Sequence, residues 1–313
     1  MKKILILLLF IGIYLTGCAT TSSDTVDNDG ITIYTSVYPI QYIVERIGGE
    51  TINVKSVFPL GVDAHTYEPT SKEMTEIARS DMFIYLGAGM EGFAESMAGA
   101  LKSQDVKLIE LGEEEELFHS EETEQHEEDD DHDGHNHNHG DHDPHIWLDP
   151  IRMIEMAHII TSNLEELNPE KKDDYQENII ALEEDLRKLD DKFVTTLEEK
   201  SNKKLLVSHA AYGYWEERYG IEQISINGLS SSSEPSQKEL TKIIEEANAH
   251  TIKYIIFEQN TSSRVSEIVQ DHINAEALII HNLSVLTEDD IENNEDYISL
   301  MEQNLNVLDQ ATN

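Results

Sequence analysis

The stretch from Asn168 to Lys200 constrains the fold of this chain more than any other. Tyr175, Ile179, Leu182, Leu186, Leu189, Phe193 and Leu197 recur at spacings of 4, 3, 4, 3, 4 and 4 residues among charged neighbours. That is the period of one amphipathic α-helix. Asn168 stands at the N-cap position with Pro169 first in the helix, so the predicted helix runs over 169–200, about 32 residues or ~48 Å. It is too long for an ordinary crossover between strands. The pattern alone permits a coiled-coil seam, but strand and helix signals resume beyond it, so it is expected to join two lobes as a rigid connector.

Before that helix, short β-rich runs fall at 31–37, 52–58, 82–86 and 106–111, with helical candidates near 40–48, 71–80, 91–101 and 151–166. After it, strands at 204–208, 221–226, 254–257 and 277–280 alternate with helices near 211–219, 237–249, 262–272 and 288–310. This βα rhythm predicts an α/β fold of two lobes, each a mostly parallel sheet flanked by helices. Thr70 to Glu73 and Ser236 to Glu239 have the spacing of capping boxes. The expected divisions are an N-terminal lobe over 31–166, the connecting helix over 167–201 and a C-terminal lobe over 202–313.

One part of the first lobe cannot contribute to a core. Between Glu113 and Asp143 there are seven histidines, fifteen carboxylates and no Lys or Arg. Low hydrophobicity and like charge predict a disordered, solvated loop over 113–143. Its glutamate-rich first half reads as a charge run that solvates the surface. In the second half His132, His135, His137, His139 and His142, flanked by Asp, Asn and Gly, offer many donors to an ion such as Zn2+ without fixed geometry. That predicts a loose metal-collecting loop. Pro144 and Pro150 then bracket a short apolar run, so His145 is the histidine of the series at which the chain becomes ordered.

The net charge of −41 argues against nucleic acid and anionic lipid surfaces and favours a cationic partner. Met1-Lys2-Lys3 followed by the apolar run Ile4 to Leu15 reads as an export signal, too short to span a membrane. Leu15-Thr16-Gly17-Cys18 resembles the bacterial lipoprotein signal. The expectation is a signal peptide over 1–17, a diacylated Cys18 that anchors the protein to the outer face of the cell membrane, and a flexible tether over 18–30. Cys18 is the only cysteine, so no disulfide is expected.

His65 lies in the loop Gly61 to Pro69 after the second strand, and His209 directly follows the strand 204–208. In open α/β sheets, ligands bind at the carboxyl ends of strands. Glu258 ends the strand 254–257 in the same way. Trp147, Trp215, Tyr212 and Tyr214 read as packing residues, and His158, His250, His272 and His281 as helix-face or strand-end residues without a metal role.

As a set, DAHTYEPT, the His/acid loop, DPHIWLDP, the long helix, VSHAAYGYWEERYG, the EPS before a helix, IIFEQN and NLSVLT are specific. The chain resembles the zinc/manganese cluster of solute-binding proteins of bacterial ABC importers, a family that includes surface lipoproteins once called adhesins. The resemblance implies two α/β lobes joined by one long helix, with the metal held between them by His65 and His145 from the first lobe and His209 from the second. It also implies a membrane permease with its cytoplasmic ATPase as partner, and a monomer. Three imidazoles suit Zn2+, whereas Mn2+, the alternative, prefers oxygen. Where many members carry an acidic ligand this chain has Ser284, which leaves the fourth position to water, Glu258 or a loop histidine. Three histidines and water is also the arrangement of catalytic zinc, but no HExxH motif occurs and no enzyme is expected. A surface attachment protein with a structural metal is the third reading.

Overall fold

Alternating short apolar runs and amphipathic segments yield two parallel sheets with the same strand order. A computed structural model describes residues 30–118, 142–260 and 264–312. In the first lobe β1 (Ile31–Thr35), α1 (Tyr38–Gly48), β2 (Ile52–Ser56), α2 (Ser71–Ile77), β3 (Met82–Tyr85), α3 (Ala94–Leu101) and β4 (Lys107–Glu110) follow one another, and the sheet order is β2-β1-β3-β4. Ile33 pairs with Val54 on one side and Met82 on the other. Parallel neighbours cannot be joined by a tight turn, so every connection is a crossover. Helix α2 starts on the expected capping box between Thr70 and Glu73.

The chain then reaches α4 (Pro150–Leu167) and α5 (Lys172–Leu197). The seven apolar residues that define the pattern of α5 are all buried, each worth about 1.5–3 kcal/mol of transfer free energy. They pack on α1 and α4 of the first lobe and on helices of the second. The α-helix is shorter than expected, since Pro169–Lys171 forms a 3-10 turn. Asn168 makes no side-chain cap, and its amide lies 3.4 Å from the Tyr175 hydroxyl, which spends the capping group on a tertiary contact.

The second lobe runs β5 (Lys204–His209), α6 (Gly213–Tyr219), β6 (Glu222–Asn227), α7 (Gln237–Ala249), β7 (Tyr254–Glu258), α8 (Arg264–Ile273), β8 (Glu276–Ile280), α9 (Glu288–Glu292) and α10 (Tyr297–Ala311), with sheet order β6-β5-β7-β8. The single helix expected over 288–310 is two helices. Thr287/Asp290 and Asp296/Ser299 each form a capping box, and Asn294 between them takes φ 55°. Two N-caps nine residues apart start two helices. One face of the second sheet joins the main core through Leu205, Val207, Ile256 and Ile280. Its other face forms a smaller cluster of Leu206, Ile224, Ile226, Ala247, Ile255 and Val269. The two lobes therefore share one apolar core, which makes α5 a packed strut.

Of the loop expected over 113–143, the described residues are 113–118 and 142–143. Leu111–Glu113 and Glu115–Leu117 form 3-10 turns, Leu117 is fully buried, and its carbonyl accepts a 2.6 Å hydrogen bond from Arg152 Nη1. The one leucine in the acidic run supplies the apolar anchor that the charge pattern conceals. At the far end the His142 ring stacks on Phe118 at 4.8 Å and its Nε2 lies 3.6 Å from Glu115. His132, His135, His137, His139 and Cys18 lie outside the described residues. Among the described residues no helix is long and apolar enough to cross a membrane.

Candidate metal centre

The carboxyl ends of strands from both sheets meet at three histidines. His65 sits in the loop after β2, His145 precedes the 3-10 turn Ile146–Leu148, and His209 is the last residue of β5. His145 Nε2 lies 3.3 Å from His65 Nε2 and 3.4 Å from His209 Nε2. One ring nitrogen from each falls within 4.8 Å of the other two. In a tetrahedral site with Zn–N bonds of about 2.0–2.1 Å, ligand nitrogens stand about 3.3–3.4 Å apart. The spacing is that of one coordination sphere. Asp63, Met90, Trp147, Ser231, Glu258, Asn282 and Ser284 complete the walls of a cavity of about 10 Å³, room for one water or one ion and for no organic substrate.

Each histidine has its own carboxylate. Asp63 Oδ1 accepts the His65 backbone N–H at 2.9 Å, and Asp143 Oδ1 accepts that of His145 at 3.0 Å. These are two Asx turns from the same D-x-H spacing, each stiffening the backbone that carries a ligand. Asp143 Oδ1 also takes the His145 Nδ1–H at 2.7 Å, and Glu258 pairs with Nδ1 of His209. With the proton held at Nδ1, the Nε2 lone pairs of these two rings are free for a metal. His145, His209 and Glu258 are only 2 %, 2 % and 3 % exposed.

Burial, followed by the charges of His145 and His209, pushes the His65 imidazole down to about 4, so it is neutral at physiological pH. Burial acts the same way on His209, but Glu258, with Asp63 and Asp143, outweighs it and raises that imidazole above its ordinary value. For Glu258 burial alone would raise the carboxyl, yet His209 and the Asn282 hydrogen bond hold it low and ionised. The carboxylates behind these imidazoles favour positive charge in the cavity, which a bound dication would supply.

His145 is expected in the first lobe, and side chains of the second lobe also bond to its segment. Tyr214 Oη donates to the Asp143 carbonyl at 2.7 Å, Trp215 Nε1 to that of Leu148 at 2.7 Å, and Tyr297 Oη to that of Trp147 at 2.7 Å. Trp147 Nε1 donates to the Asn282 carbonyl at 2.9 Å, and Arg218 Nε to Asp149 at 2.7 Å. Chain order assigns a lobe by sequence, whereas these donors fix position by contact. The tryptophans and tyrosines do pack, as expected, and their polar ends also carry these bonds. Ser284 lies on the cavity wall with its hydroxyl donated to Asn282 Oδ1 at 2.8 Å. Glu258 is occupied by His209 and by Asn282 Nδ2 at 2.8 Å, so it stands behind a ligand candidate.

His158 pairs with Glu183 at 2.9 Å on the surface, and His281 bridges Asp290 at 3.0 Å and the Leu283 N–H at 3.0 Å. Neither belongs to the cluster. Sequence reasoning misses Asp63, Asp143, Asn282, Met90 and Ser231; the repeated D-x-H is the signal that would have found the first two.

The family model described as ZnuA, zinc-uptake complex component A, periplasmic, matches residues 33–311. The chain belongs to the ZnuA family. Among its relatives in the family, a zinc-binding lipoprotein AdcA of Streptococcus pneumoniae is 32% identical over 323 residues, covering 100% of this chain and 61% of its own length. The chain thus spans about three fifths of that relative. The high-affinity zinc uptake system protein ZnuA of Bacillus subtilis is 30% identical over 290 residues, covering 93% of this chain and 90% of the relative. The crystal structure of the Zn(II)-bound ZnuA-like domain of Streptococcus pneumoniae AdcA superimposes with TM-score 0.71 at 30% identity, over 90% of this chain and 99% of that one. A laminin-binding adhesin of Streptococcus agalactiae shares the fold, with TM-score 0.76 at 24% identity over 91% of this chain and 100% of that one.

Proposed function

We propose that this chain is the extracytoplasmic subunit that captures Zn2+ between its lobes through His65, His145 and His209 and delivers it to the permease of an ABC importer. The observation that carries this reading is the 3.3 and 3.4 Å spacing of three Nε2 atoms in a cavity sized for one ion. Three imidazoles favour Zn2+ over Mn2+, and the names of the relatives point to zinc. The same small cavity speaks against an enzyme, because nothing beside the ion has room for a reacting molecule. In this reading Cys18 carries the lipid anchor, and His132, His135, His137, His139 and His142 gather ions without holding the transported one.

Zinc titration by calorimetry tests the assignment. The wild-type chain takes one ion tightly, and His65→Ala, His145→Ala and His209→Ala each weaken that event at least tenfold, since two imidazoles cannot replace three. An unchanged dissociation constant in any of the three refutes that residue as a ligand. Anomalous scattering at the zinc edge locates the ion.

A further inference from the structure

Behind the three histidines one residue connects, directly or through one neighbour, to the segments that carry them. Asn282 follows β8, is 7 % exposed, and is the hub of a polar cluster. Its Nδ2 donates to Glu258 Oε2 at 2.8 Å and to Asn260 Oδ1 at 3.3 Å. Its Oδ1 accepts the Ser284 N–H at 3.1 Å, the Ser284 hydroxyl at 2.8 Å and Gln259 Nε2 at 3.1 Å. The partners dictate this orientation. A carboxylate can only accept and a backbone N–H can only donate, so the amide cannot be turned round without setting like against like.

Three of the residue's contacts lead to the histidines. Glu258 holds Nδ1 of His209. Asn260 Nδ2 donates to the Val62 carbonyl at 2.8 Å, in the loop that bears His65. The Asn282 carbonyl takes Trp147 Nε1 at 2.9 Å, two residues from His145. The next residue, Leu283, sits at φ 64° in the left-handed region, a conformation that a branched side chain holds only where its surroundings over-determine it. The turn from Asn282 Oδ1 to Ser284 N–H and the His281 contact with the Leu283 N–H supply that constraint.

We infer that Asn282 is a positioning residue of the metal centre, its amide aiming Glu258 at His209 and Asn260 at the loop of His65. The inference rests on the proposed capture of a metal ion by the three histidines. Groups that orient a ligand from behind change metal affinity by about 10–100-fold when lost.

The test uses Co2+ alone as the probe, with its visible absorption as the report on ligand geometry, in the full chain. Asn282→Asp keeps the acceptor for Ser284 but replaces the donor to Glu258 by a second carboxylate oxygen. It should weaken Co2+ binding at least tenfold and alter the spectrum. Adding Glu258→Gln restores a donor across that one contact while its oxygen faces His209, so the double variant should regain part of the lost affinity, at least threefold over Asn282→Asp, with the spectrum moving back towards that of the wild type. Asn282→Ser, which retains a hydroxyl acceptor and drops both donors, is measured in parallel and decides the matter if Asn282→Asp does not fold. Wild-type affinity and spectrum in the single variants overturn this inference alone, as does a loss that Glu258→Gln fails to restore in part. A wild-type chain that takes up no Co2+ or Zn2+ overturns the capture reading and this one with it.

Discussion

Gly213, the first residue of α6, touches none of the histidines, yet its replacement should be felt at the metal. A Cβ at this position would lie 2.7 Å from Asp143 Oδ2, where ordinary contact begins at 3.4 Å, an overlap of about 0.7 Å. Asp143 cannot yield freely, because its other oxygen holds both N–H groups of His145, at 3.0 and 2.7 Å. Gly213→Ala should therefore swing the carboxylate off His145 Nδ1, with a loss of metal affinity of about 10–100-fold, or about 1.4–2.7 kcal/mol. Stability should change much less. Gly213 is not in the left-handed region, so alanine gains about 0.4–1 kcal/mol by restricting the unfolded chain, which offsets part of the overlap. Gly220→Ala is the control: that residue ends α6 at φ 67°, so the change should cost about 1 kcal/mol of stability and leave affinity alone. Zinc calorimetry paired with urea unfolding of the metal-free protein separates the two quantities. A Gly213→Ala protein that binds zinc like the wild type would show that Asp143 does not set the aim of His145.

Three further outcomes are expected. Deleting 119–141, with Phe118 and His142 kept, should lower total zinc stoichiometry and leave the tight site unchanged; a tenfold weakening of that site, ~1.4 kcal/mol, would put a loop histidine on the ion. Arg152→Met removes a buried guanidinium that meets the Leu117 carbonyl at 2.6 Å and Glu217 at 3.0 Å; urea unfolding should register a loss of about 3 kcal/mol, and a loss below about 1 kcal/mol would contradict the role given to it. Burial, opposed by Asp290, holds His281 below its ordinary 6.5. Asp290 is held below its ordinary 3.8 although burial acts to raise it, because Thr287 and His281 bond to it. Both groups are depressed on folding, so the stability they contribute is complete above those values and drains as pH falls, from 6.5 for His281 and from 3.8 for Asp290. Metal-free unfolding free energy should fall between pH 7 and 5, with His65, held down to about 4, adding to the same slope; His281→Gln should make the slope shallower, and parallel slopes would remove His281 from the account.

The periodic elements were legible because burial is periodic. The seven apolar residues of α5, both lobes' βα order and the boxes at Thr70 and Ser236 depend on local spacing, which a sequence displays. What escaped depends on contacts between distant residues. Asn168 looks like a cap until Tyr175 takes its side chain, and Leu117 looks stranded among glutamates until Arg152 reaches its carbonyl. The convergence of the three histidines was legible from their motifs and, for His65 and His209, from their strand-end addresses. Asn282 and Ser231 were not, because no local spacing marks them: Ser231 Oγ meets Asp63 at 2.6 Å over a separation of 168 residues.

The three histidines also differ from the His-rich run in what holds their chelate together. His65, His145 and His209 are separated by 80 and 64 residues. In an unfolded chain an ion joining them would have to close two long loops, each at about 4 kcal/mol of lost chain entropy. Folding has already met that cost, so the proposed ligand set exists only while both sheets do, and an ion bound there should act as a crosslink that resists unfolding. The histidines between 132 and 142 stand two or three residues apart, so in the proposed reading their chelate needs only the local chain. Denaturant should therefore abolish one kind of binding and spare the other.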